Sequence, residues 1–244
     1  TAVDSIKKGA FDYIPKPINP DILLEKIKEA LSTKKEAEVP VSINYIKGNS
    51  ALSKKLYEYV DIVAPTEMSI LITGESGTGK SASMRNCTAE RFSIVNVSQK
   101  PLPFRSDMKM LNTDDYMKIT AALKSVKTPS IVIDDSQYLM VNAFMRRSLE
   151  KGYDKYNEMA NAHWRLIQTA LNDTPDGTIV YFMSHIERDQ VGNEKAKTIG
   201  RMIDQYVTLE GLFTIVLKTH VKDGKYTFIT HNSGFDTVKT PLGM

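Results

Sequence analysis

The clearest chemical pattern in the sequence is a glycine-rich motif, G-x-x-x-x-G-K-[ST]. It is formed by Gly74, Glu75, Ser76, Gly77, Thr78, Gly79, Lys80 and Ser81. Glycines at these spacings let the backbone turn tightly enough to aim several N–H groups at a phosphate. The Lys80 ammonium then reaches the β and γ oxygens, and the Ser81 hydroxyl ligates Mg²⁺. The motif therefore predicts a site for the phosphates of ATP, aided by a helix that begins near Lys80.

Two acids follow the apolar run Ser130–Ile133. Ligands of open α/β sheets bind at the carboxyl ends of the strands, so a strand over this run places both carboxylates beside the phosphate site. We expect Asp134 to hold the water shell of Mg²⁺. Asp135 is a candidate for orienting or activating the attacking water, and a loop acid or helix N-cap is an equally good interpretation.

A further polar group follows the apolar run Ile179–Met183. A polar side chain at the end of this strand can sense the γ-phosphate, and His185 is our candidate. The alternative is an ordinary polar residue at a strand end. Glu187 is a second candidate for the general base.

Strands must alternate with helices to bring these residues together. Apolar, strand-like runs occur at residues 68–72, 92–97, 130–133, 179–183 and 213–217, and helical patterns at 113–126 and 141–171. This alternation predicts an α/β fold, a three-layer P-loop NTPase with a mostly parallel sheet. Asp223-Gly224 lies between two further runs, 212–221 and 226–231, so we expect the sheet to end in an antiparallel hairpin.

Composition excludes several other classes of protein. The chain has 244 residues, is 41% hydrophobic and 25% charged, and carries a net charge of +3. One cysteine and four histidines leave no internal disulfide and no closed zinc site at the usual spacings. No apolar run approaches the roughly 18 residues of a membrane span. We therefore expect a cytoplasmic protein without a membrane partner.

The first 47 residues read as a separate part of the chain. Residues 1–33 have the pattern helix, strand, turn, helix, which is too little core to fold alone. Residues 34–47 are charged and polar and are predicted to be a linker, so the ATPase domain is expected at 48–244. A chain that begins at Thr1 inside such a unit indicates a fragment or a fusion.

Other basic and aromatic residues allow more than one interpretation. Lys218, Lys225 and Lys239 are candidate fingers for the γ-phosphate of a neighbouring subunit, which would need a homo-oligomer, or are solvated charges. The predicted helix also carries aromatic and basic side chains that can stack single-stranded bases or pack in the core, and packing is favoured for Trp164. They are Tyr153, Tyr156, Met159, Trp164 and Ile167, with Arg146, Arg147 and Lys151.

Residues 1 to about 81 resemble sigma-54-dependent response regulators. Lys16-Pro17 after AFDYIP resembles the end of a receiver domain, and Gly48-Asn49-Ser50 through GESGTGKS resembles the start of the AAA+ ATPase domain. The resemblance implies that Lys16 contacts a phosphorylated aspartate. That aspartate would precede Thr1, so we expect no phosphorelay in this chain. The family's GAFTGA loop does not follow Lys80.

Residues from about 70 to 244 resemble phage-encoded RecA-like ATPases of single-strand-annealing recombination. The resemblance lies in SASMRN, IVNV with KPLPF, SIVIDDSQYLM, YFMSHIE, GNEKAKTIGRMID, EGLFTIVLKTHV and SGFDTVKTPLGM. It implies ATP and Mg²⁺ as cofactors, and single-stranded DNA with an annealing or single-strand-binding protein as partners. RecA-type enzymes carry a glutamate near the end of the second strand, where this chain has Asn96-Val97-Ser98-Gln99. The catalytic base is therefore open.

The two resemblances meet at the phosphate motif, as in a chimera joined there. Our main expectation is a RecA-like ATPase of DNA recombination or repair, preceded by a small receiver-like remnant. One alternative is a sigma-54-dependent transcriptional regulator. The other is a nucleotide-binding module without turnover.

Overall fold

The computed structural model describes residues 69–199 and 207–241, together with Lys26. The two long ranges belong to one compact unit, Gly48–Met244. The predictions made for the receiver-like remnant, including Lys16, and for the linker at 34–47 lie outside the described residues.

Eight strands form the sheet of the described domain. Their bounds are β1 Ser69–Gly74, β2 Phe92–Asn96, β3 Lys109–Asn112, β4 Ser130–Asp134, β5 Ile179–Arg188, β6 Glu194–Ala196, β7 Ile215–Lys222 and β8 Lys225–Ile229. The order across the sheet is β3-β2-β4-β5-β1-β7-β8, and β6 pairs with β5. The strand that leads into the phosphate motif, β1, therefore lies between β5 and β7.

The strands from β3 to β7 along this path are all parallel, as the alternation of strands and helices predicts. The last pair, β7 and β8, is antiparallel. Asp223 and Gly224 connect them, and both have a left-handed backbone, with φ of 52° and 72°. A two-residue turn of this kind matches the twist of a hairpin. The α/β fold with a mostly parallel sheet and a terminal antiparallel hairpin is thus confirmed.

Three α-helices and two 3₁₀ helices complete the described domain. They are α1 Tyr116–Lys124, α2 Tyr138–Arg146 and α3 Asp154–Asn172, with 3₁₀ helices at Ser81–Asn86 and Leu209–Leu212. The α1 helix begins at Asp115, whose carboxylate accepts from the backbone N–H groups of Met117 and Lys118. This cap satisfies two of the amides that a helix start leaves unpaired.

The helical pattern at 141–171 is two helices and not one. Between α2 and α3, Gly152 has a φ of 94°, which ends any continuous helix. The buried Lys155 donates hydrogen bonds to the carbonyls of Arg147 and Glu150, at 3.0 and 2.6 Å. The lysine therefore ties the start of α3 to carbonyl groups of the segment that connects it with α2.

Each face of the sheet has its own apolar core. On one face α1, α2 and α3 contribute Ile119, Leu139 and Leu166 to a cluster with strand residues such as Phe182. On the other face Met84 of the first 3₁₀ helix and Met108 pack on strand residues such as Ile72. Among the described residues, the third layer expected from the sequence is therefore made by a 3₁₀ helix and a loop.

Two short strands are absent from the sequence prediction. The edge strand β3 has mostly exposed residues, and β6 has three residues. Neither contains the apolar run by which a strand is recognised. Within the described ranges, no helix is long and apolar enough to cross a bilayer.

The core predicts the effect of truncating a buried aromatic side chain. Phe182 of β5 is 1% exposed and packs edge-on against Phe213, with ring centroids 5.2 Å apart. We expect Phe182→Ala to lower the free energy of unfolding by about 3–5 kcal/mol in urea denaturation, because it leaves a cavity. The control is Phe228→Ala on the exposed face of β8, for which we expect a loss below about 1 kcal/mol. Equal losses would contradict the described core.

Candidate active site

The parallel sheet brings the polar strand ends together at one edge. Gly74 at the end of β1 is the register partner of His185 in β5. Asn96 at the end of β2 is the register partner of Asp134 at the end of β4. The phosphate motif, the acidic pair and His185 therefore share the carboxyl edge, where open α/β sheets bind ligands.

The phosphate motif is held by its own lysine. The Lys80 ammonium is buried and donates to the carbonyl oxygens of Gly74 and Glu75, both at 2.8 Å. Burial lowers the pKa of Lys80, although the carboxylates of Asp135, Asp134 and Glu75 oppose this shift. The lysine is thereby fixed at the centre of the loop with its charge close to the acidic pair.

Gly79 is required both by backbone conformation and by space. Its φ is 87°, a conformation that L residues with side chains rarely adopt. A Cβ at this position would lie 2.8 Å from Cδ1 of Tyr226, whose ring comes from β8. The terminal hairpin is thus in contact with the phosphate motif.

The Ser81 hydroxyl joins the motif to β4. It lies 3.0 and 2.9 Å from the two carboxylate oxygens of Asp134. Asp134 is 3% exposed, and its pKa is raised to about 6 by burial and then by the charge of Asp135. The two residues predicted as metal ligands therefore lie side by side, and the carboxylate lacks a full compensating charge from the protein.

Asp135 has a different environment from its neighbour. Its carboxylate is 3.4 Å from Nε2 of His185, and hydrogen bonding by this ring, opposed by burial and aided by Ser98, lowers its pKa. Asp135 also has a left-handed backbone, with φ of 58°. Non-glycine residues in this conformation carry strain that is typical of functional sites. Asp135 is therefore an ionised acid held in a fixed direction.

A cavity of about 380 Å³ lies in front of these groups. It is lined by Ser76, Gly77, Gly79, Lys80, Ser81, Ala82, Lys100, Pro103, Asp135, Tyr138, His185 and Tyr226. This volume falls in the range of small-molecule sites, roughly 300–1,000 Å³. The cavity brings together Lys80, Ser81, Asp135 and His185 as the sequence predicts, and Asp134 contacts it through Ser81.

The helix predicted after the motif differs from the structure. Residues Ser81–Asn86 form a 3₁₀ helix of six residues. Ser83 contributes to its shortness, since its hydroxyl donates to the carbonyl of Lys80 at 2.6 Å and competes with regular helical pairing. The helix dipole expected to aid phosphate binding is therefore limited to this one short 3₁₀ helix. The amides of the loop and the Lys80 ammonium are the main groups available to bind phosphate.

Glu187, the second candidate for the general base, lies outside the cavity lining. Its carboxylate is 3.0 Å from Nζ of Lys195, on the part of β5 that extends past the site. The residue after Glu187, Arg188, forms an ion pair with Glu75 of the phosphate motif, with 2.7 Å between its guanidinium nitrogen and the carboxylate oxygen. Arg188 also pairs with the buried Glu194. The structure therefore places Asp135, and not Glu187, beside the phosphate motif.

The three candidate fingers are distributed over the end of the chain. Lys218 forms an ion pair with Glu194 of the same chain. The backbone of Lys239 pairs with Val216, and burial lowers the pKa of its side chain. Lys225 begins β8 and is exposed. Lys218 is thus already engaged within its own subunit.

The α3 helix shows which of its large side chains pack. Met159 and Ile167 are 3% and 1% exposed. Trp164 is 40% exposed and Tyr153 is 84% exposed. The packing favoured for Trp164 from the sequence is therefore wrong, because the buried face of α3 runs through Met159, Leu166 and Ile167 and leaves Trp164 at its margin.

Five lining residues were not predicted from the sequence, and three of them have a charged or aromatic side chain. Lys100 follows β2, Tyr138 begins α2 and Tyr226 lies in β8. Tyr138 and Tyr226 depend on tertiary placement and have no local signal. Lys100 has a local signal in the sequence, because it follows a strand that ends at the same edge of the sheet as Asp134.

The fold and the phosphate site together define the class of P-loop nucleotide-binding domains with an α/β fold. The model of the family described as "Sigma-54 interaction domain", an AAA+ ATPase domain that binds ATP, matches residues 46–101. This match covers less than a quarter of the chain and includes the whole phosphate motif.

Several curated proteins are similar to part of this chain. The "Transcriptional regulatory protein ZraR" of Klebsiella oxytoca is 39% identical over 85 residues, which is 33% of this chain and 19% of that protein. The "Nitrogen assimilation regulatory protein NtrX" of Azorhizobium caulinodans is 37% identical over 91 residues, 35% of this chain and 20% of that protein. The "DNA-binding transcriptional regulator NtrC" of Proteus hauseri is 34% identical over 86 residues, or 32% and 18%. The chain thus spans about a fifth of the length of these relatives.

The raised pKa of Asp134 predicts how stability changes with pH. The ordinary value is 3.8 and the folded value about 6, so between these pH values the folded state keeps a proton that the unfolded chain has lost. This group therefore reduces stability as pH rises through that window, and the reduction is complete above it. We expect Asp134→Asn to be nearly neutral near pH 3, below both values, and to stabilise the ligand-free chain by about 1–3 kcal/mol at pH 7.5.

The measurement is urea denaturation of both proteins across this pH range. Asp107→Asn is the control, because it makes the same substitution at an exposed aspartate. A stability difference for Asp134→Asn that does not grow with pH would contradict the assigned environment.

Proposed function

We propose that this domain binds Mg·ATP and hydrolyses it to ADP and phosphate. The observation that carries the proposal is the hydrogen-bonded pair of Ser81 and Asp134 beside Lys80 and in front of the cavity. Phosphoryl transfer is catalysed mainly by positioning and by electrostatic stabilisation. Lys80 supplies a fixed cation and Asp135 supplies an ionised acceptor for the water, so both requirements are present.

The residues at the phosphate site fit a magnesium ion held jointly with the nucleotide. Mg²⁺ prefers oxygen ligands, and it is commonly bound through one or two protein groups together with phosphates and water. Ser81 and Asp134 offer such groups. Among the described residues no three His, Cys, Asp or Glu side chains form a metal site of their own. The ion would neutralise charge on the β and γ oxygens.

Asp135 is the best-placed group to orient the attacking water. Its pKa lies below the ordinary range, so the carboxylate is ionised at neutral pH and accepts a hydrogen bond from water. His185 fixes the direction of this carboxylate and lies between it and the end of β1. His185 is therefore suited to respond to the γ-phosphate through Asp135.

Regulation of transcription at sigma-54 promoters is the first candidate process. The matched family is described as a sigma-54 interaction domain, and the relatives reported above are transcription regulators by name. The support comes from the first part of the domain, up to residue 101. We accordingly propose sigma-54 polymerase as the partner in this case, although the chain has no GAFTGA sequence.

DNA recombination on single-stranded DNA, with a homo-oligomeric ATPase, is the second candidate. Its support is the resemblance of residues from about 70 onward and the antiparallel hairpin that ends the sheet. The comparisons with known proteins do not favour this process. An annealing or single-strand-binding protein would be the partner.

The proposed hydrolysis predicts a strong effect of one lysine. We expect Lys80→Ala to lower the ATPase rate of the full chain by at least about 100-fold, because the cation at the β and γ oxygens is lost. The control Lys127→Ala removes an exposed lysine just before β4, at the opposite edge of the sheet, and should keep the rate within about twofold. Phosphate release in the presence of Mg²⁺ is measured.

The same assay separates the alternatives. Stimulation by sigma-54 polymerase favours the first process, and stimulation by single-stranded DNA favours the second. If the wild-type chain binds ATP and releases no phosphate under any of these conditions, the domain is a binding module and the proposed hydrolysis is wrong.

The two candidates for the general base, Asp135 and Glu187, can be distinguished by the effect of their removal on kcat. Asp135→Asn should lower kcat by about 100-fold or more, since the ionised acceptor for the water is lost. Glu187→Gln should leave kcat within about twofold, because this carboxylate is paired with Lys195 outside the cavity. Steady-state ATPase kinetics check both. The reverse order of effects would make Glu187 the general base.

A further inference from the structure

A cation beyond Lys80 is needed to balance the charges at the terminal phosphate. Mg·ATP carries a net negative charge, and Asp134 and Asp135 add two carboxylates at the same end of the cavity. Charge on the γ-phosphoryl oxygens must be stabilised in the transition state. Among the described residues that line the cavity, Lys80 and Lys100 are the two lysines, and none is an arginine. Lys218, a candidate for this role in a neighbouring subunit, is paired with Glu194.

The backbone around Lys100 is fixed at the carboxyl edge. Asn96 is the register partner of Asp134, and its side-chain amide donates to the carbonyl of Lys100 at 2.7 Å. The N–H of Val97 donates to the carbonyl of Asp134 at 3.3 Å. Between them, Gln99 has a left-handed backbone, with φ of 56°. The left-handed turn at Gln99, with hydrogen bonds on either side of it, brings the backbone of Lys100 back toward the loop that carries Asp134 and Asp135.

The ammonium of Lys100 faces an aromatic ring. Its Nζ lies 5.2 Å from the centroid of Tyr138, and the Tyr138 ring meets His185 edge-on, with centroids 6.2 Å apart. No described carboxylate forms an ion pair with Lys100, although its charge contributes to the low pKa of Asp135. A cation held by a ring keeps most of its charge available to an anionic ligand.

We propose that Lys100 contacts the γ-phosphate of ATP bound to its own subunit, as a catalytic residue supplied in cis from the loop after β2. The phosphates would then lie between two lysines, with Lys80 on the side of β1 and Lys100 on the side of β2. Asp134 and Asp135 at the end of β4 lie between them, because β4 and β5 separate these strands. This assignment rests on the proposed binding of ATP and adds the group that distinguishes ATP from ADP.

The test compares the binding of two nucleotides to the full chain. Calorimetry with Mg²⁺ is used for ADP and for the non-hydrolysable analogue with an imido bridge between the β- and γ-phosphates. We expect Lys100→Ala to weaken binding of the analogue about tenfold and to leave ADP unchanged, since one charged hydrogen bond to the γ-phosphate is lost. Lys100→Arg should restore part of the preference, and Lys109→Ala, an exposed lysine at the amino edge, should change neither affinity.

Kinetics provide a second readout. Lys100→Ala should lower kcat about 100-fold, as removal of one transition-state donor does. An unchanged ratio of the two affinities, whether both stay the same or both weaken together, would overturn the role of Lys100. Failure of the proposed function is distinguishable, because in that case Lys80→Ala leaves the binding of both nucleotides intact or the wild type binds neither.

Discussion

The hydrogen bonds between Ser81 and Asp134 are the contact on which the rest of the site depends. They join a loop after β1 to the end of β4, two strands that are separated by β5. The contact forms because these strands are parallel and their carboxyl ends meet at one edge of the sheet. The buried carboxylate is costly for the ligand-free protein, as its raised pKa shows. In the proposed function this charge is offset by a cation that Asp134 would share with the phosphates.

The two neighbouring acids illustrate how environment separates roles. Asp134 is buried beside a hydroxyl and has a raised pKa, whereas Asp135 is hydrogen-bonded to His185 and has a lowered pKa. One is suited to a metal ion and the other to a water molecule. Strain at Asp135 and Gln99, both with left-handed backbones, occurs on two of the loops that border the cavity. The candidate site is therefore built from the loops that follow β1, β2 and β4, together with His185 of β5 and Tyr226 of β8.

Short sequence patterns were sufficient to predict some elements of this structure. The phosphate motif, the strand that ends in Asp134 and the Asp223-Gly224 turn each carry their own pattern, and all three are confirmed as structural elements. Other parts depend on tertiary contacts. The strands β3 and β6 have no apolar run, and the segment between α2 and α3 is held by tertiary hydrogen bonds from Lys155 to its carbonyl groups. Tyr226 reaches the phosphate motif only through the pairing of β8 with β7.

The chemistry of the site and the cellular process are supported by different observations. The structure supports the chemistry, because its described residues extend beyond the segment that matches the sigma-54 interaction domain. The similarity to named relatives bears on the process, and it covers about a third of the chain. The ATPase site is common to both candidate processes. Its chemistry can therefore be tested without deciding between them.

The magnesium dependence of nucleotide affinity tests the central claim most directly. Calorimetry of the full chain with a non-hydrolysable ATP analogue, with Mg²⁺ and with a chelator, is run on the wild type and on Ser81→Ala. The account predicts that Mg²⁺ tightens binding by about tenfold or more in the wild type, because the ion offsets the charge of Asp134, and that Ser81→Ala loses most of this gain. Equal affinity with and without Mg²⁺ in the wild type would contradict it.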